Sequence, residues 1–270
     1  MHKIKDLNRL GRSIEFNFSH VFDGVIWNTS VSENSEIMVL EVRRHDVQQV
    51  SFSALETRTG RQLWKNLTFD EPWWISLAAV TNHTVIFTLY LETNNPDRKG
   101  IMAYDLFEKK IMWFHNDFAL TTVGNGQVRG MASKHGVREV VLAVATGQEV
   151  KPLADIAEPE KTEVAHRPHQ YPADHAYFHT VKTFLETTFN LSPVVALEYL
   201  EHDSLIFISF YLGEKELANH LLVLSDGGEV VLKEKLDEAL KGIGLDTFFL
   251  LAGSVFFVKN RVELDSYKIV

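Results

Sequence analysis

Apolar residues fall in short, nearly continuous runs separated by polar turns. The runs are Glu36 to Val42, Thr84 to Leu91, Glu139 to Ala145, Ser204 to Leu212 and Ser254 to Val258. Unbroken apolar runs of strand length predict strands covered on both faces, because a strand with one wet face alternates. Ser13 to Phe22 does alternate, through Ile14, Phe16 and Phe18, and reads as a strand of another kind. Asp23-Gly24, Asn125-Gly126 and Gly227-Gly228 supply turns. Residues 233–241, ending at Gly242, are good helix formers and predict one short helix.

One unit of this pattern returns. Ala54 and Trp64 stand ten residues apart, with Glu56 two after the alanine and Thr59-Gly60 between. Forty-nine residues on, Ala103, Asp105 and Trp113 keep the same spacing. The run Val50 to Leu55, a polar turn at Thr57 to Gly60 and a return over Arg61 to Lys65 predict a β-hairpin, with Gly60 free to take the positive φ of a tight turn. A weaker copy keeps Thr146-Gly147 without the Trp. Another keeps Gly228 and has Leu232 at the Trp position. A period of roughly 40–50 residues is that of a repeat architecture.

The pattern resembles the small-x-Asp-x-x-Thr-Gly-x-x-x-Trp repeat of quinoprotein-type β-propellers, a PQQ-like or WD40-like signature, in an uncharacterised family with degenerate repeats. The resemblance implies an all-β propeller with Trp64 and Trp113 largely buried at equivalent places in neighbouring blades. Inner strands can be placed near Val25, Trp74, Leu120, Val194 and Thr247, which predicts five blades in a single domain over residues 1–270. The last unit stops at Glu263 to Val270, one strand short, and the strand Ile14 to Phe18 has no blade of its own. Pairing the two would close a five-bladed β-propeller by an N-terminal strand in the last blade and remove an open edge. The quinone dehydrogenases that share the repeat would imply eight blades, a metal-bound quinone and a vicinal disulfide. A chain of 270 residues without Cys does not suit that, and no cofactor is expected.

Charge and composition narrow the function. There are 36 acidic and 27 basic residues, a formal net charge of -9, which disfavours nucleic acid as a partner. Without Cys there is no disulfide framework or thiolate site. Residues 1–12, with Lys3, Lys5, Arg9 and Arg12, read as a leader without the apolar core of a secretory signal, and no run is long enough for a membrane span. The expected location is cytoplasmic.

Candidate chemistry is sparse. Residues 151–180 hold four of the seven prolines, break the repeat and read as an insertion loop. The loop carries His166, His169, His175 and His179, a candidate metal set because neutral imidazole is a common ligand. The competing reading is exposed histidines packing on Tyr171, Tyr177 and Phe178. Phe22-Asp23-x-x-x-Trp27 recurs as Phe69-Asp70-x-x-x-Trp74 where one unit hands over to the next; the reading is a connection with its aromatic in the core, with ligand stacking as the alternative. Gly124-Asn-Gly126-Gln-Val-Arg-Gly130 has the wrong context for a dinucleotide loop. The expected function is a non-enzymatic scaffold for a protein or peptide partner. The alternatives are a metal-dependent enzyme or hydrolase using the histidine loop, and a propeller binding a small ligand or glycan.

Overall fold

The computed structural model describes residues 12–92, 95, 98–134, 136–153 and 165–270. The protein is all-β, with antiparallel sheets and one α-helix among the described residues. It divides into two compact units, residues 21–165 and residues 1–20 with 166–270. The leader before Arg12 lies outside the described residues, as do 154–164 of the expected insertion loop.

The first strand of the described residues is β1 (Ile14–Val21), whose partner comes last. The 21–165 unit then builds three sheets in succession. The first is β2 (Val25–Val31), β3 (Ile37–Arg44), β4 (Gln49–Glu56) and β5 (Gln62–Leu67). The second is β6 (Ile75–Val80), β7 (Thr84–Tyr90), β8 (Lys99–Asp105) and β9 (Ile111–His115). The third has three strands among the described residues, β10 (Ala119–Gly124), β11 (Gln127–Ala132) and β12 (Arg138–Ala143). The predicted apolar runs are the second and third strands of these sheets. Their faces meet in shared cores: Val39, Phe52 and Ala54 with Ile75, Val85 and Phe87, then Ile86 and Ala103 with Val128, Val140 and Leu142.

The repeated hairpin is present as expected. Ala54 stands opposite Trp64, and Ala103 opposite Trp113. Three turns share one hydrogen-bond pattern: Glu56, Asp105 and Ala143 each donate N–H to the carbonyl five residues on, and each accepts at its own carbonyl from the N–H four residues on, at Gly60, Lys109 and Gly147. That fourth residue has positive φ in all three. Lys109 therefore occupies a glycine position at a steric cost, and Lys109→Gly should raise the unfolding free energy by about 1 kcal/mol, measured by denaturant titration. The Gly228 turn is tighter, with Gly228 N–H on the Ser225 carbonyl three residues back.

The two tryptophans are equivalent but half-buried, not largely buried as expected. They sit on the outermost strand, where one side of the ring faces water, and they lock one sheet to the next. Trp64 Nε1 donates to the Leu106 carbonyl (3.0 Å), and Trp113 Nε1 to the Val144 carbonyl (2.8 Å), each just past the hairpin strand of the following sheet. The Trp113 indole lies on Gly147, where an added Cβ would come within 2.6 Å of the ring. Gly147→Ala meets both that clash and a φ of +65°, and should lower stability by about 2 kcal/mol in thermal or denaturant unfolding.

In the other unit, β13 (His169–Pro172) is the edge of a five-stranded sheet. After it come α1 (Ala176–Phe189), β14 (Val194–His202), β15 (Leu205–Leu212), β16 (Leu217–Ser225) and β17 (Val230–Leu240). Residues 165–180, expected as bare loop, thus carry a strand and the first turn of a helix. Phe178, Val181 and Leu185 recur at helical spacing and bury against Leu197, Ile208, Phe210 and Leu222, which gives the segment the apolar stripe its prolines obscured. The helix predicted over 233–241 is instead β17. Ladder bonds to β16 and burial of Leu236 against Phe248 and Leu250 override local propensity, and the Lys and Glu residues of this edge strand discourage pairing with another chain.

The last sheet is β18 (Phe248–Leu251), β19 (Ser254–Lys259) and β20 (Glu263–Ile269), with β1 added beside β20. Ser13 and Val270 exchange N–H···O bonds of 3.0 Å, Asn17 reaches Ser266, and Ser19 donates to Glu263 (2.8 Å), so the two strands run antiparallel. Phe16 packs edge-on against Tyr267. The expected pairing of the first strand with the last is therefore present. Every sheet of the described residues is open rather than closed on itself.

Candidate functional site

The first strands β2, β6 and β10 of three sheets carry a β-bulge, at Ile26/Asn28, Leu77/Ala79 and Leu120/Thr122, and β14, next to the edge strand β13, carries another at Val194/Leu197. A bulge leaves one residue outside the ladder and re-aims its side chain. At two of these places the residue is Ala78 or Thr121; in β2 it is Trp27, which is 60 % exposed. Phe22 is buried and Phe69 packs on the core, as expected of the connections, but their partners Trp27 and Trp74 project outward.

Around Trp27 the strand ends of the first two sheets gather an aromatic cluster. The Arg43 guanidinium lies 5.5 Å from the Trp27 ring centre and 5.0 Å from that of Trp73. His45 touches both indoles edge-on, at 5.9 and 5.1 Å. Beyond Trp73, the exposed Trp74 packs on exposed Tyr90 at 6.2 Å, and the Lys99 ammonium stands 5.5 Å over the Tyr90 ring. Val47, at the tip of the β3–β4 hairpin that carries His45, is also exposed.

The cluster is held from beneath. Arg43 donates to buried Glu41 (2.6 Å), and further to the Ile75 carbonyl (3.1 Å) and Ser76 Oγ (3.0 Å). The other Glu41 oxygen accepts the Leu77 N–H (2.7 Å), while Asn28 Nδ2 donates to the Leu77 carbonyl (3.1 Å), so both backbone groups at the β6 bulge are satisfied by side chains of the neighbouring sheet. Glu71 Oε1 accepts the N–H groups of Trp73 and Trp74 (3.0 and 2.8 Å). Backbone and side chains of the cluster are thus fixed by hydrogen bonds within the protein.

The four candidate histidines have separate local roles and are exposed. The His166 backbone bridges to Leu250, and its ring lies 4.8 Å from His202. His169 and His175 pack on Tyr171 at 4.6 and 5.0 Å. His175 caps α1 by accepting the Tyr177 N–H at Nδ1, and His179 lies beside Phe178. They do not converge: among the described residues no three His, Cys, Asp or Glu side chains are placed to hold a metal ion.

A buried carboxylate with a displaced pKa is a place to look for catalysis. Burial pushes Glu198 above its ordinary 4.5, against hydrogen bonds from Thr247 and Asp246 that act the other way. Its oxygens accept the Asp246 N–H (2.7 Å), the Thr247 N–H (3.0 Å) and the Thr247 hydroxyl, which continues to Ser209 (2.7 Å) and Asn219. This is a structural tether for the chain before β18, the counterpart of Glu41 in the other unit. No helix of the described residues is long and apolar enough to cross a membrane.

Residues 31–113, the stretch that holds both tryptophan hairpins, match the family model described as a domain of unknown function (DUF4905). No curated protein matches the chain. Among solved structures the chain is similar to BamB from Moraxella catarrhalis, at 10% identity over 92% of this chain and 61% of that one, with a TM-score of 0.26. It is similar to the β-propeller domain of the Trilobed protease from Pyrococcus furiosus, at 7% identity, 88% and 64% coverage and a TM-score of 0.35. A member of the duf4221 family from Bacteroides vulgatus gives 8% identity, 97% and 99% coverage and a TM-score of 0.35. The chain spans less than two thirds of the length of the first two.

Proposed function

We propose that the protein is a non-enzymatic five-bladed β-propeller scaffold that binds a segment of a partner protein on the Trp27–Trp73–Tyr90 end of its first two sheets. The blade count is supported by the five sheets, and closure by the β1–β20 pairing. The observation that carries the binding reading is the pre-ordered cluster itself: Trp27, Trp74 and Tyr90 exposed, backed by a buried ion pair that fixes Arg43. Trp, Tyr and Arg dominate the energetics of protein interfaces, and a cluster already in its bound geometry loses little entropy on docking.

Panning a displayed random peptide library against the protein should enrich peptides that Trp27→Ala/Tyr90→Ala no longer binds. Phe107→Ala, which removes an exposed aromatic at the opposite strand ends of the same unit, should leave binding intact. Peptides indifferent to the double substitution would overturn the site.

A further inference from the structure

The charges around the cluster are unequal. Arg43 is neutralised by Glu41. Arg44 is shared by two exposed carboxylates, Asp23 and Asp46, at 3.2 Å each, so this trio keeps a net negative charge. The Arg44 hydrogen bond holds the Asp46 carboxyl below its ordinary range and so keeps it ionised. Asp70 and Glu71 add two more carboxylates where the chain leads into β6. Arg98 is matched by Glu92 (3.2 Å), and Lys99 and Lys65 already lie on the aromatic faces of Tyr90 and Phe22. The rings show the same preference. Trp27, Trp73 and Tyr90 each accept a cation of this chain, and Trp27 remains 60 % exposed after doing so. The hairpin tip that lays His45 on Trp27 also brings Asp46 onto Arg44, so ring and acidic trio are parts of one surface.

We propose that the docked segment is basic, with a lysine or arginine side chain lying on the exposed part of Trp27 and Asp23 and Asp46 as its counter-charges. This rests on the docking reading above and adds the chemistry of the partner. An indole face attracts a cation through its quadrupole, and neighbouring carboxylates raise the local concentration of basic segments.

Three fluorescein-labelled peptides of one length and one apolar content, carrying lysine, glutamate or serine at the same positions, test the proposal by fluorescence anisotropy. The lysine peptide should bind about tenfold more tightly than the serine peptide and lose affinity with added salt. Asp23→Asn/Asp46→Asn and, separately, Trp27→Ala should each remove most of that advantage while the circular dichroism spectrum stays unchanged. If serine or glutamate peptides bind as well as lysine and Trp27→Ala still abolishes binding, the basic partner is overturned and the docking surface stands. If the aspartate variants weaken the lysine peptide but Trp27→Ala does not, the attraction is diffuse charge, and the proposal fails. If no peptide responds to any variant, the docking reading fails with it.

Discussion

Glu41→Ala should lower the unfolding free energy by about 3–5 kcal/mol, the cost of leaving one half of a buried ion pair alone. Glu41 and Arg43 side chains are 1% and 11% exposed. Removing the carboxylate strands the guanidinium between Trp27 and Trp73 and leaves the Leu77 N–H without its acceptor. Asn28 would still hold the Leu77 carbonyl, so the β6 bulge would be tethered on one side only. A double-mutant cycle separates the parts. Glu41→Ala/Arg43→Met should recover stability relative to Glu41→Ala, because no buried charge is then unpaired, but the Leu77 N–H penalty should persist. Urea midpoints measure both. A loss below about 1 kcal/mol for the single variant would mean that water replaces the pair at little cost, and that the aromatic cluster is not held from below.

Glu198→Ala should cost about 3 kcal/mol, because two backbone N–H groups and one hydroxyl lose their acceptor at once. Its effect should depend on pH with a definite sign. Burial raises the folded-state pKa of Glu198 above 4.5, so the folded protein keeps this proton over a range where the unfolded chain has released it. The stability difference between the unaltered protein and Glu198→Gln should therefore fall as pH rises from about 4.5 and flatten above the folded pKa. Thermal unfolding of both proteins across that range checks the slope. A difference that grew with pH would place the charged carboxylate, rather than the protonated acid, as the form favoured by folding.

Much of the fold was legible because its signals are local. The spacing from Ala54 to Trp64 and from Ala103 to Trp113 is the length of a hairpin, and cross-strand pairing at both places follows from it. The five apolar runs became covered strands because only a strand buried on both faces can be apolar throughout. Even the partner of β1 could be found by matching an orphan strand to a sheet that lacked one. The site was half legible. Phe22 to Trp27 and Phe69 to Trp74 were visible as a recurrence, but that recurrence pairs Trp27 with Trp74, whereas Arg43 brings it together with Trp73. A signal was there: Glu41 and Arg43, two apart at the end of an apolar run, share one face of a strand and had to satisfy each other or something nearby.

The sequence by itself determined the strand class, the hairpin repeat and the outermost pairing, since these depend on residue order and on period-two geometry. Tertiary structure alone decided that 233–240 is a strand, because Leu236 had a core to enter and β16 had an edge to fill. It also decided that α1 covers Leu197 and Phe210, that Trp64 and Trp113 reach carbonyls 42 and 31 residues away, and that a bulge turns Trp27 outward. Each of these rests on a burial partner or a backbone group supplied from far along the chain, and no local pattern encodes where that partner will stand.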